Sequence, residues 1–76
     1  MSSGLAIEGF KPIVEIMFGD FLSLAFDQIL NNLSKFHSMY NESVKVPLII
    51  RTPMGAGRGY GPTHSQSIEK FFYGIT

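Results

Sequence analysis

No cysteine occurs anywhere in the chain. Disulfides are therefore excluded as a support for the fold, and so are most zinc sites, which draw on thiolates. The same absence fits a reducing compartment, and the chain is read as intracellular, in cytoplasm or an organelle matrix. Charge of one sign is lacking too: six basic side chains cancel six acidic ones, and the Lys and Arg residues are scattered. Without a global field, neither nucleic acid nor an anionic membrane is expected as a partner. Long apolar runs are missing. The longest, Val46 to Ile50, is broken by Pro47 and falls far short of the ~20 residues that span a bilayer. Met1-Ser2-Ser3 offers neither the basic start nor the apolar core of a signal peptide.

What is present belongs to a globular protein. The hydrophobic fraction is 45%, which argues against disorder. At 76 residues the chain is one domain at most, and a domain of that size buries only about 60% of the surface its unfolded chain exposes. With disulfides and most structural metals excluded, association is the remaining support, and self-association is expected.

Along the chain, Gly4 to Ile7 read as the last turns of a helix closed by Gly9 in the C-terminal cap position. From Pro12 the run Ile13 to Phe18 is β-branched or apolar almost throughout, which predicts a strand over about 12–18 buried on both faces of a parallel sheet. Asp20 is a suitable N-cap, and Leu22, Ala25, Phe26, Ile29, Leu33 and Phe36 recur at helical spacing, so an amphipathic helix is predicted over about 20–35. A polar stretch returns the chain to a second buried strand over about 46–51. Strand, helix and strand make a βαβ unit whose crossover is expected to be right-handed, with the strands parallel neighbours. The loop 52–62 alternates four Gly with other residues between two Pro, a composition no regular element tolerates. Thr63-His64-Ser65-Gln66 matches a capping box, and a second helix is predicted over about 64–73. The fold class is α/β, order βαβα.

The Gly-rich loop leaves the carboxyl end of a parallel strand and feeds a helix start, where open α/β folds bind ligands and free N–H groups favour anions. Its glycines match neither the dinucleotide spacing nor the phosphate-loop motif with its Lys. Taken alone, the loop reads equally well as a mobile surface connection. His64 falls in the first predicted turn, where the helix dipole favours a neutral imidazole; the plain alternative is a solvated or capping histidine.

Phe10-Lys11-Pro12-Ile13-Val14-Glu15, Ala25-Phe26-Asp27-Gln28-Ile29 with Asn32, Arg51-Thr52-Pro53-Met54-Gly55, and Gly61-Pro62-Thr63-His64-Ser65-Gln66-Ser67 with Glu69 resemble one family in order and without gaps. It is the β subunit of the thiamine-diphosphate-dependent 2-oxo acid dehydrogenases, the decarboxylating component of pyruvate and branched-chain complexes. The resemblance implies a transketolase-like pyrimidine-binding domain, of which this chain would be a partial unit with two of about six strands. It also implies thiamine diphosphate and magnesium in the complete enzyme, with an α subunit as partner that holds the diphosphate and the metal. Met17 and Phe21 match positions lining the aminopyrimidine pocket, where a thioether and an aromatic face suit a flat heteroaromatic ring. For Phe21 the alternative is ordinary core packing. His64 matches the active-site His, placed to hydrogen-bond or exchange protons with the substrate or a reaction intermediate. Leu48 matches a position whose backbone carbonyl helps hold a structural monovalent cation.

Two departures bear on activity. The family's catalytic Glu lies upstream of the equivalent of Ser2, and Glu8, the first acidic residue here, follows the predicted helix. The elements after the second helix are also missing from the sequence. The chain is therefore expected to be a fragment, inactive by itself and without bound cofactor. The alternatives are a transketolase-type fragment, suggested by Gly61-Pro62-Thr63-His64, a non-catalytic anion-binding module built on the Gly loop, and a ligand-free self-associating chain.

Overall fold

The computed structural model describes residues 1–75. It opens with helix α1 (Ser2–Ile7). Gly9 closes it with a φ of 96°, a left-handed conformation in which a side chain would be strained. Its N–H donates to Ala6 O at 3.0 Å and that of Phe10 to Leu5 O at 3.0 Å, the paired bonds of a Schellman cap.

Strands β1 (Ile13–Glu15) and β2 (Ile49–Arg51) pair in parallel, with Ile13 opposite Ile49, Val14 opposite Ile50 and Glu15 opposite Arg51. Both are shorter than the predicted 12–18 and 46–51. Pro47 has no N–H for the ladder, so β2 begins only at Ile49, whose N–H reaches Pro12 O at 3.1 Å. Beyond the ladder the two chains stay tied, by Ile16 N–H to Arg51 O, Thr52 Oγ1 to Ile16 O, and Gly19 N–H to Pro53 O at 2.8 Å. Nor are the strands buried on both faces. Val14 and Ile50 are half-buried beneath the helical segment, whereas Ile13 and Ile49 are 63% and 59% exposed. On that bare face Arg51 also bonds Glu15 Oε2 through Nε at 2.8 Å and through its terminal nitrogen. Helical structure covers one side of this two-stranded sheet, which is why alternate residues stay wet.

Between the strands the chain winds helically but not as the uniform α-helix predicted over 20–35. A 3₁₀ segment (Gly19–Ala25) leads through Phe26 and Asp27 into a π segment (Gln28–Leu33), followed by the short helix α2 (Phe36–Met39). The local sequence supplies the reasons. Ser34 Oγ bonds back to Leu30 O at 2.7 Å while its N–H reaches Ile29 O, and Asn31 and Asn32 are weak helix formers. The inward face is nonetheless the one read from the spacing: Leu22 is buried and Ala25, Phe26, Ile29, Leu33 and Phe36 are half-buried.

The second predicted helix is reduced to one 3₁₀ turn (Glu69–Phe71). Gln66 O accepts the Gly55 N–H at 3.1 Å, a long-range bond that competes with the next helical turn. Ser65 and Ser67 add little helix propensity. Packing is thin throughout. Among the described residues the buried apolar side chains are Ala6, Leu22 and Ile68. The accessible surface of 5564 Å² compares with about 4600 Å² for a compact monomer of this mass. The radius of gyration of 14.0 Å compares with about 11 Å for a compact domain of this length.

Candidate functional site

The site gathers where the carboxyl ends of β1 and β2 release the chain. Met17 and Phe18 follow β1, Phe21 lies in the 3₁₀ segment, Arg58 and Tyr60 come from the Gly loop, and His64 follows that loop. Gly55, Gly57, Gly59 and Gly61 take φ values of 92°, 87°, 75° and 82°. This alternation of left-handed residues, costly for any residue but glycine, bends the loop back over β1.

Phe18 is the hub of the cluster. Its ring lies 5.4 Å from that of Tyr60 and 5.8 Å from that of His64, the latter edge to face at 70°. The Arg58 guanidinium sits 5.2 Å from the Phe18 centroid and 5.6 Å from that of Tyr60. Its terminal nitrogen reaches His64 O at 3.4 Å. Phe21 meets the imidazole edge to face, at 5.1 Å and 86°. Aromatic pairs of this kind contribute about 0.5–1.5 kcal/mol beyond their area, and exposed cation–π contacts about 0.5–1 kcal/mol. Together they hold a half-buried imidazole between two phenyl rings, with Nδ1 2.8 Å from Thr63 Oγ1. Nε2 has no hydrogen-bond partner among the described residues.

Asp20 and Gln66 brace the cluster from below. Asp20 Oδ1 accepts the Gln66 main-chain N–H at 3.2 Å and its side-chain Nε2–H at 2.8 Å. Partial desolvation, the largest single influence, pushes this carboxyl up. The two Gln66 bonds, a main-chain bond at Asp20 itself and the nearby His64 ring outweigh it, so the group titrates below the ordinary 3.8.

The predicted site residues separate into two groups. Phe21 and His64 are brought into contact. Met17 adjoins Phe18 in the chain and is 63% exposed. Leu48 lies at the amino end of β2, the opposite end from His64, and its side chain lines a cavity with Val14, Ile29 and Ile50. Two readings need correction. Asp20 is not an N-cap, since its carboxylate turns across to Gln66. The capping box does not form either: Gln66 N–H, which should meet Thr63, goes to Asp20, and Thr63 Oγ1 contacts His64 instead. His64 is therefore held by rings and loop contacts, not by a helix dipole. Sequence reasoning missed Phe18, Arg58 and Tyr60. Their alternation with glycines at the carboxyl end of a strand was the available signal, but which side chains meet depends on how the loop folds back.

The arrangement is an open wall and not an enclosed pocket: Phe21 is 38% and Tyr60 56% exposed. It offers aromatic faces, a thioether and one imidazole nitrogen, which suit one side of a flat heteroaromatic ligand and a proton transfer at its edge. Among the described residues no group of three or more His, Cys, Asp or Glu is placed to hold a metal ion. No helix among them is long and apolar enough to cross a membrane.

Residues 1–75 match the family described as transketolase, pyrimidine binding domain. The β subunit of the pyruvate dehydrogenase E1 component of Chaetosphaeridium globosum is 44% identical over 75 residues, 99% of this chain and 23% of that protein. The chloroplastic subunit beta-3 of the same component from Oryza sativa subsp. japonica is 44% identical over 99% of this chain and 19% of its own length. The acetoin:2,6-dichlorophenolindophenol oxidoreductase subunit beta of Bacillus subtilis (strain 168) is 41% identical over 92% of this chain and 20% of its own. The chain thus spans about a fifth of the length of the curated relatives it matches. With a parallel sheet, a Gly-loop crossing its carboxyl end and a match along its whole described length, the chain belongs to the transketolase pyrimidine-binding domain family.

Proposed function

We propose that this chain forms one wall of the aminopyrimidine site in the β subunit of a thiamine-diphosphate-dependent 2-oxo acid dehydrogenase, with His64 as its active-site imidazole. The observation that carries the reading is the meeting of Phe18, Phe21 and His64 at the carboxyl end of the sheet, in a chain whose relatives include pyruvate dehydrogenase β subunits.

The residues fit the cofactor's ring. Met17, in the bend after β1, and Phe21, in the 3₁₀ segment that follows, are both exposed, and a thioether and an aromatic ring suit the face of an aminopyrimidine. When bound, thiamine diphosphate supplies the electron sink that lets a 2-oxo acid lose carbon dioxide. His64 then acts at the substrate edge: Nδ1 is engaged by Thr63, and Nε2 is left to hydrogen-bond the substrate or exchange a proton with it. The rings of Phe18 and Phe21 keep water from two sides of the imidazole.

In the complete enzyme magnesium and the diphosphate would be held by an α subunit, as the family resemblance implies. Leu48 is proposed only as one backbone donor to a structural monovalent cation, remote from His64. The lack of cysteine and the chloroplast location in one relative's name support a compartment inside the cell. The exposed apolar surface supports association, with an α subunit in the assembled enzyme or with further copies when the chain is alone.

Calorimetric titration with thiamine diphosphate and magnesium tests the reading, on the chain alone and on the β subunit assembled with its α partner. Binding is expected only in the assembly. There, His64→Ala should lower kcat by about 100-fold or more with little change in cofactor affinity, as loss of a proton-transfer group does. Unchanged turnover would reduce His64 to a packing residue.

A further inference from the structure

Asp20 and Gln66 are 46 residues apart in sequence, yet two hydrogen bonds join them. Asp20 immediately precedes Phe21, whose ring bears on His64, and Gln66 lies two residues beyond His64. Gln66 is held from the other side as well, its carbonyl accepting the Gly55 N–H at 3.1 Å. It is therefore a fixed point on which the His64 backbone hangs, with the carboxylate on one side and the Gly loop on the other. Asp20 Oδ2 is buried and makes no hydrogen bond, so the carboxylate's bonds to the distant part of the chain both pass through Oδ1 to Gln66. Ser23 Oγ donates to Asp20 O at 3.0 Å and steadies the turn that carries it.

We propose that Asp20 is a positioning residue for His64: by clasping the main-chain and side-chain N–H groups of Gln66, it sets the imidazole against the ring of Phe21. The proposal rests on the reading of His64 as the active-site imidazole only for its catalytic meaning. The clasp itself is a property of this chain. A carboxylate accepting two N–H bonds from one residue fixes both distance and direction, which the segment Thr63–Ser67, with no helix or strand of its own, cannot do for itself.

The test is solution NMR of the chain without cofactor. It reads the ring-current displacement of the His64 ring protons, which Phe18 and Phe21 impose, and the exchange rate of the Gln66 main-chain amide. Asp20→Ala should abolish the displacement and speed Gln66 exchange about tenfold or more, the effect of losing charge-assisted bonds. Asp20→Asn keeps an oxygen acceptor and should retain most of the displacement. Ile16 and Ile49 amides, which bond Arg51 O and Pro12 O across the sheet, should stay protected in both. Faster Gln66 exchange with unmoved His64 resonances would overturn the proposal. If Asp20→Ala also strips protection from the sheet, Gln66→Ala decides, because it removes only the Nε2 donor: a partial loss of displacement supports the clasp and none refutes it. Turnover of the assembled enzyme is a separate matter. A His64→Ala enzyme of full activity would end the catalytic reading and leave the clasp standing.

Discussion

Replacing Gly19 by Ala probes the joint between β1 and the Gly loop. Gly19 needs space more than conformational freedom, since its φ lies outside the left-handed region. An added Cβ would lie 2.6 Å from Met54 Cβ, 3.2 Å from Met54 Cε and 3.4 Å from Pro53 O. Carbon atoms rest at about 3.5–4.0 Å, so the two segments must part by about 1 Å. The Met54 Cε can swing away, but its Cβ is fixed to the backbone that accepts the Gly19 N–H at 2.8 Å. Overpacking costs about 1–3 kcal/mol. Loss of that hydrogen bond adds about 1 kcal/mol, and the lower unfolded-state entropy of Ala returns about 0.4–1 kcal/mol. A net loss of about 2 kcal/mol follows, equivalent to a Tm lower by about 8–16 °C in a domain of this size. The assay is thermal unfolding at fixed protein concentration, with amide exchange at position 19. Met54→Gly removes the opposing Cβ and should rescue the variant, giving a coupling energy of about 1 kcal/mol or more in a double-mutant cycle. An equal loss in both backgrounds, or no loss at all, would refute the steric account.

Four further outcomes are expected. The folded-state pKa of Asp20 lies below the ordinary 3.8, so its stabilising contribution is complete above that value and is lost as pH falls through the lowered one; Gln66 amide protection should fade in that acid range, and protection unchanged through it would contradict the clasp. The Glu15–Arg51 pair is exposed on the bare sheet face, so Glu15→Gln should cost less than about 1 kcal/mol and the difference should shrink in high salt. Leu22 is one of the few buried apolar side chains, and Leu22→Ala should cost about 2–5 kcal/mol, enough to abolish sheet amide protection in a chain with so thin a core. Sedimentation at several concentrations measures the association expected from Ile13, Ile49, Leu24 and the other exposed apolar groups; a monomer with protected strand amides at all concentrations would contradict it.

Local pattern alone carried the order of elements, the Gly9 cap, the parallel pairing and the inward face of the long helical segment, because these depend on periodicity and on residues with fixed backbone preferences. Motifs in sequence likewise placed the chain in its family and singled out Phe21 and His64, which the fold brings together. The lengths of the elements were decided elsewhere. Pro47 lies inside an apolar run that reads as strand, but whether its missing N–H matters depends on the partner chain across the ladder. The capping box at Thr63 is locally sound, yet Gln66 has a better acceptor in Asp20, which only the return of the chain over β1 makes available. The same return sets Arg58 against the rings of both Phe18 and Tyr60. A local hydrogen bond is specified by neighbours in sequence; a carboxylate 46 residues away competes for the same N–H only once the fold has put it there.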